Sequence, residues 1–170
     1  MAEDIKVLYG MSDILVDGMN IGVQADAAEF IAKPELIDID LYELKHYDKL
    51  IEAWDVRLKC AMHEEDYDKI MMILPFAEEI KDGVTTKGIQ DGKLWQSARE
   101  KAKEITVHPR KLPVDDKSYD ITIFKAFPNT EYKRRYGKDT SKIEVEFQAL
   151  ARTGDPSTAG NYFRIGEASE

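Results

Sequence analysis

The chain has 170 residues, 43% of them hydrophobic and 34% charged, enough for one domain with a real core. Its 33 acidic residues outnumber 24 basic ones, for a formal net charge of −9. So acidic a chain argues against a protein that grips nucleic-acid phosphates, or an anionic membrane, through a basic face. The single cysteine, Cys60, excludes an internal disulfide framework and a multi-cysteine zinc site. No apolar run approaches the ~20 residues that span a bilayer, and the opening Met1-Ala2-Glu3-Asp4 is unlike a signal peptide. A soluble product of a reducing compartment is expected.

In chain order, short strands are predicted at Ile14–Val16 and Ile21–Val23, separated by the turn signal Asp17-Gly18. Lys33-Pro34 reads as a further turn. Ile37, Ile39 and Leu41 then alternate with Asp38, Asp40 and Tyr42, and Trp54, Val56, Leu58 and Cys60 alternate with Asp55, Arg57 and Lys59. Successive strand side chains point to opposite faces, so each segment has one apolar and one polar face.

Residues 64 to 74 place Tyr67, Ile70, Met71 and Leu74 on one helical face, with acidic residues in the first turn and Pro75 as the stop. A second helix is expected from about Lys93 to Glu104, or a short turn followed by irregular chain. Between them, Glu78 to Gly92 has few large apolar residues and reads as a long exposed loop. Strands follow at Ile105–Val107, Tyr119–Ala126, Ile143–Ala149 and Tyr162–Ile165. In the third of these Ile143, Val145 and Phe147 alternate with Glu144, Glu146 and Gln148. The expected fold is mostly β (α+β): an antiparallel β-sandwich or partial barrel with one or two flanking helices, in a single domain.

No chemistry-bearing pattern emerges. His46, His63 and His108 stand at no ligand spacing, and the acidic run after His63 lacks the glycine and glutamate that a calcium loop needs. Cys60 falls on the apolar phase of its strand, as a small core residue rather than a thiolate. There is no Gly-x-Ser-x-Gly elbow and no phosphate-cradling glycine loop. The basic group Lys133, Arg134, Arg135 and Lys138 is short, and in so acidic a chain suits a solvated patch or a neighbouring acidic surface. The expectation is a protein with no catalytic residues, no cofactor and no metal.

Taken in order, several segments resemble a known family. They are Asp13-Ile14-Leu15-Val16-Asp17-Gly18 and Ile21-Gly22-Val23, then Trp54-Asp55-Val56-Arg57-Leu58 followed by the acidic helix ending Met72-Ile73-Leu74-Pro75. Ile105-Thr106-Val107-His108-Pro109 and Tyr119-Asp120-Ile121-Thr122-Ile123 come next. Ile143 to Leu150 and Phe163-Arg164-Ile165-Gly166 close the series. Over residues 12 to 166 this order resembles the major tail tube proteins of long-tailed, siphovirus-like bacteriophages and prophage elements.

The resemblance implies a structural subunit that self-assembles into stacked hexameric rings, the conduit for DNA ejection, located in the virion tail. It implies as partners other copies of the chain, a tape-measure protein, a tail terminator and tail-tip proteins, with DNA passing through the lumen without specific binding. It assigns ring contacts to an N-terminal arm (1–12), to a long loop at Tyr42–Ala53 and to the C-terminal tail (167–170). The 78–92 loop is a further assembly candidate. A channel should repel phosphate weakly, and Asp38, Asp40, Glu144 and Glu146 are the expected lumen-lining carboxylates. Two alternatives stand beside this reading. One is another tail or connector ring protein, a terminator or baseplate part. The other is a carbohydrate- or small-molecule-binding β-module using Trp54 or Trp95.

Overall fold

A computed structural model describes residues 10–63, 66–139 and 141–168. The expected N-terminal arm, up to residue 9, and the last two residues of the tail lie outside the described residues.

Among the described residues ten strands and two short helices follow one another. They are β1 (Ser12–Val16), β2 (Met19–Asn20), β3 (Glu29–Ile39), β4 (Asp48–Met62), α1 (Tyr67–Ile73), β5 (Glu78–Asp82) and β6 (Thr85–Gln90). α2 (Ala98–Lys101), β7 (Lys103–Pro109), β8 (Ile121–Pro128), β9 (Ile143–Ala149) and β10 (Phe163–Ile165) complete the chain. The main sheet is antiparallel, in the order β2-β1-β7-β8-β9-β4-β3, with β10 paired to β8 beside β9. The expected mostly β, antiparallel architecture is what the structure shows.

Alternation sets which faces are inside. On β4, Val56, Leu58, Cys60 and Met62 are buried, and on β9 Ile143, Val145, Phe147 and Ala149 are buried. The register places Leu58 opposite Phe147 and Cys60 opposite Val145, so the two apolar rows form one inner face. Ile14, Ile105 and Ile123 complete the core from β1, β7 and β8. The sheet also curls back on itself. Ala25 N–H donates to the carbonyl of Ala61 at 2.9 Å, and His63 N–H donates to that of Val23 at 3.2 Å. Only a few residues separate these contacts from β2, and a chain advances at most ~3.5 Å per residue. One end of the sheet order is therefore brought close to β4, near the other end, which makes a partial barrel.

α1 closes this region. Asp66 caps it, its carboxylate accepting from the Lys69 N–H at 2.9 Å, and Ile73 reaches the core. Lys69 donates through its ammonium to the carbonyl of Asn20, and Tyr67 Oη donates to the carbonyl of Lys87 at 3.0 Å. The helix thus ties the barrel to β6.

Five sequence expectations are corrected. The strand expected at Ile21–Val23 lies instead at Met19–Asn20, a two-residue pairing with β1, and residues 21–23 belong to no strand. Lys33-Pro34 is no turn but lies inside β3, an edge strand paired only with β4 among the described residues, where proline's missing N–H costs no ladder bond. Residues 78–92 are not an open loop but the β5–β6 hairpin, turning at Gly83. It packs outside the core, so it carries no apolar alternation to betray it. In the 42–53 loop, residues 48–53 belong to β4, and only 40–47 form a connection. The second helix shrinks to one turn at Ala98–Lys101, with β7 starting directly after it.

Candidate assembly surface

β3 and β4 run on together well past the core. A bulge opposite Glu35 and Leu36, where Glu52 has no partner, marks the point where the hairpin leaves the barrel. Beyond it Leu36 pairs with Ile51 on one face and Ile37 with Leu50 on the other, and all four are exposed. The connecting tip adds Leu41, Tyr42, Leu44 and Tyr47, with Tyr42 100% exposed. At the base of the hairpin Ile51 and Glu52 line a cavity of 330 Å³ with residues 156–163, but its outer part shows apolar side chains to solvent on both faces. So large an exposed apolar patch marks an interaction surface rather than a stray leucine.

The tip is nevertheless ordered by its polar groups. His46 sits at φ 52, its N–H donates to the Asp40 carboxylate at 2.8 Å, and its ring Nδ1 lies 3.2 Å from that of Asp38. The Lys49 ammonium, 3.2 Å from Asp38, holds that carboxyl below the usual carboxylate range, with His46 adding to the effect. Lys45 lies 3.6 Å from Asp40.

A second exposed feature lies across α1. An open groove of 840 Å³ runs between the end of α1, the segment after β6 and the connection after β8. Phe76 and Phe127 form its floor, their rings 5.0 Å apart. Gly92 presses so close to the Phe76 carbonyl that a Cβ there would lie 2.0 Å from the oxygen. Gln96 anchors the same turn by donating to the carbonyls of Phe76 and Lys93. Pinned this way, the turn presents Leu94, 83% exposed, and Trp95, 100% exposed at φ 65. A bulky residue in the left-handed region with its indole wholly in water is strained for no internal gain. The sequence offered Trp95 as part of the second helix and as a stacking platform of a binding module. Its backbone conformation, set by Gly92 and Gln96, is what aims it outward.

The four expected lumen carboxylates divide into two sets. Asp38 and Asp40 are on the projecting hairpin, and Asp38 shares the strand phase of Phe30, on the core side of the sheet. Glu144 and Glu146 alternate with buried Val145, on the opposite side. None is an isolated charge. Glu144 lies 3.1 Å from Lys142, while Glu146 lies 3.2 Å from Arg57 and 3.7 Å from Lys59. With Glu29 opposite Lys59 in register, the outer face of β3, β4 and β9 is charged but balanced.

The remaining singled-out residues fall in the fold's interior or on its surface. Cys60 is buried, which pushes its thiol up to about 12, far from a thiolate at neutral pH. His108 is buried against Asp120, and His63 is exposed. The Trp54 ring meets that of Phe163 in a T-shaped contact, with centroids 5.3 Å apart. Among the described residues no three histidine, cysteine, aspartate or glutamate side chains come together as a metal cluster.

No protein-family model and no curated protein matches the sequence. Solved structures do resemble it. A chain from an extracellular contractile injection system, the PVC sheath/tube terminator in its extended state, superposes with TM-score 0.50 at 11% identity, over 88% of this chain and 96% of that one. A chain from the PVC sheath-tube complex in the extended state gives TM-score 0.50 at 9% identity, covering 87% and 88%. One from the anti-feeding prophage cap, a tube-terminating cap, gives 0.51 at 11%, covering 86% and 91%. The likeness is one of fold. It matches this chain to folds found in tube, terminator and cap assemblies, and it does not single out the siphovirus tube proteins that the sequence resembles.

Proposed function

We propose that this protein is a structural, ring-forming subunit of a phage-type tail or a related injection apparatus, of terminator or cap kind. The observation that carries the reading is the β3–β4 hairpin, which leaves the barrel with apolar side chains on both faces and so requires a neighbouring subunit. The fold supports it, since two of the three likenesses are to chains from terminator or cap assemblies. The repeating tube subunit, in stacked hexameric rings, is the second reading, favoured by the likeness to a chain of a sheath-tube complex. The role is mechanical rather than catalytic, and the protein is placed at the virion tail or its equivalent. Partners are other copies of this chain and the tail proteins on either side of its ring.

In this reading the outer face of β3, β4 and β9 borders the bore, with Glu144 and Glu146 on it. Asp38 and Asp40 belong to the projecting hairpin instead. Paired charges give the bore wall only a weak field, so DNA passes without being held.

Electron microscopy of the purified protein across a concentration series tests the reading. A terminator or cap gives closed rings that do not stack on themselves, whereas a tube subunit gives long hollow tubes. A protein that stays monomeric at every concentration overturns both.

A further inference from the structure

Two segments of this chain carry opposite charge and attach at opposite ends of β4. Residues 38–52, the outer half of the hairpin, hold five acidic and two basic residues. Both lysines are already engaged within the hairpin, Lys45 by Asp40 and Lys49 by Asp38, and Glu43 and Glu52 have no ion-pair partner among the described residues. Residues 130–142, leading into β9, hold five basic and two acidic residues. Lys133 is engaged by Glu131 and Lys142 by Asp26 and Glu144, while Arg135 and Lys138 have no ion-pair partner among the described residues.

The geometry forbids the two surfaces from satisfying one another within a single molecule. The basic segment ends at Ile143, which pairs with Met62 at one end of β4, and the hairpin tip joins β4 at Asp48, its other end. Fourteen strand residues at ~3.3 Å each separate them by roughly 45 Å. Each surface also has an apolar counterpart beside it. The hairpin tip shows Leu41, Tyr42 and Leu44, and the groove with Leu94 and Trp95 on its rim shares Thr130 and Glu131 with the cavity of 940 Å³ under the basic segment.

We propose that the β3–β4 hairpin of one copy docks on the 130–142 segment of the next, its apolar tip entering the groove beside Leu94 and Trp95. This rests on the ring reading and specifies its contact. Opposite ends of the molecule meet, so the contact is heterologous and propagates from copy to copy until rotation closes it. Apolar tip and groove supply the burial, and the unpaired charges at the rim set the register and speed the encounter.

Charge exchange tests it. Glu43→Lys with Glu52→Lys reverses the hairpin, and Arg135→Glu with Lys138→Glu reverses the segment. All four side chains are exposed, and melting curves establish that each variant folds. Light scattering is expected to show each variant associating at least tenfold more weakly than the wild type. Mixing the two variants restores association in complexes of equal proportion, because each then meets a complementary surface on the other. The chain carrying all four changes assembles alone. Variants that associate like the wild type, or a mixture that stays apart, overturn this contact and leave the ring reading standing. A wild-type chain that never associates overturns both.

Discussion

His108 and Asp120 are the deepest acid–base pair among the described residues, with Nδ1 and Oδ1 2.6 Å apart and both residues buried. Nε2 lies 3.4 Å from the carbonyl of Leu112. Asp13 stands opposite His108 in the β1–β7 register, itself held by Arg110 at 2.7 Å. Burial disfavours the imidazolium, but the Asp120 bond and charge, the Leu112 carbonyl and Asp13 together outweigh it and raise the pKa above its ordinary 6.5. A group whose folded pKa is raised stabilises the fold fully below its unfolded pKa. That contribution is lost as pH rises through the folded value. Melting midpoints of the wild type are therefore expected to fall as pH climbs from 6.5 through that raised value, and those of His108→Gln to stay flatter there. Asp120→Asn leaves the imidazole without its counter-charge and is expected to cost about 1–3 kcal/mol in chemical denaturation at pH 6. An identical pH profile for wild type and His108→Gln would remove the pair from the stability account.

At the scale of elements, Ile39 and Asp48 are already cross-strand partners, so residues 40–47 can be replaced by Asn-Gly, which closes two strands in a tight turn. None of those eight residues is buried. The shortened chain is expected to melt within a few degrees of the wild type and to lose ring formation in the microscope. Retained rings would free the tip of any assembly role. The hairpin also shows what alternation in a sequence can and cannot convey. β9 and the inner half of β4 were legible because one face of each meets the core. In the outer hairpin both faces are exposed, and Leu36, Ile37, Leu50 and Ile51 follow no single phase, because each pair is consecutive in sequence and so points to opposite faces. β5 and β6 were hidden for the converse reason, having almost no apolar side chains to order. Pro34 signals a turn in most contexts, and only the unpaired edge of β3 permits it mid-strand. The exposed pair Leu94 and Trp95 was no more legible. Nothing local to it marks the groove, which is made by Phe76 and Phe127 from distant parts of the chain.

For the whole molecule, a net charge of −9 does not mean an evenly negative surface. Residues 38–52 carry three of the nine excess negative charges, while the outer face of β4 and β9 sets Arg57, Lys59 and Lys142 against Asp55, Glu146 and Glu144. Asp55 raises the Arg57 pKa, with Glu146 adding to it, and Lys142 is likewise held charged by Glu144 and Asp26. Such exposed pairs add little stability, but they cancel each other's field within a Debye length of about 8 Å. A surface built this way neither captures phosphate nor drives it off strongly. Glu144→Lys with Glu146→Gln removes two carboxylates and adds an ammonium on every copy, leaving Lys59 without its partner while Arg57 keeps Asp55 and Lys142 keeps Asp26. Rings of that variant are expected to retard duplex DNA in a gel at about 0.15 M salt, with retention falling steeply as salt rises, because each neutralised phosphate releases a condensed counterion. Wild-type rings are expected to leave DNA mobile under the same conditions. Retention by the wild type would mean that the ring grips DNA rather than letting it pass. Variant rings that leave DNA free would place Glu144 and Glu146 away from any surface that DNA reaches.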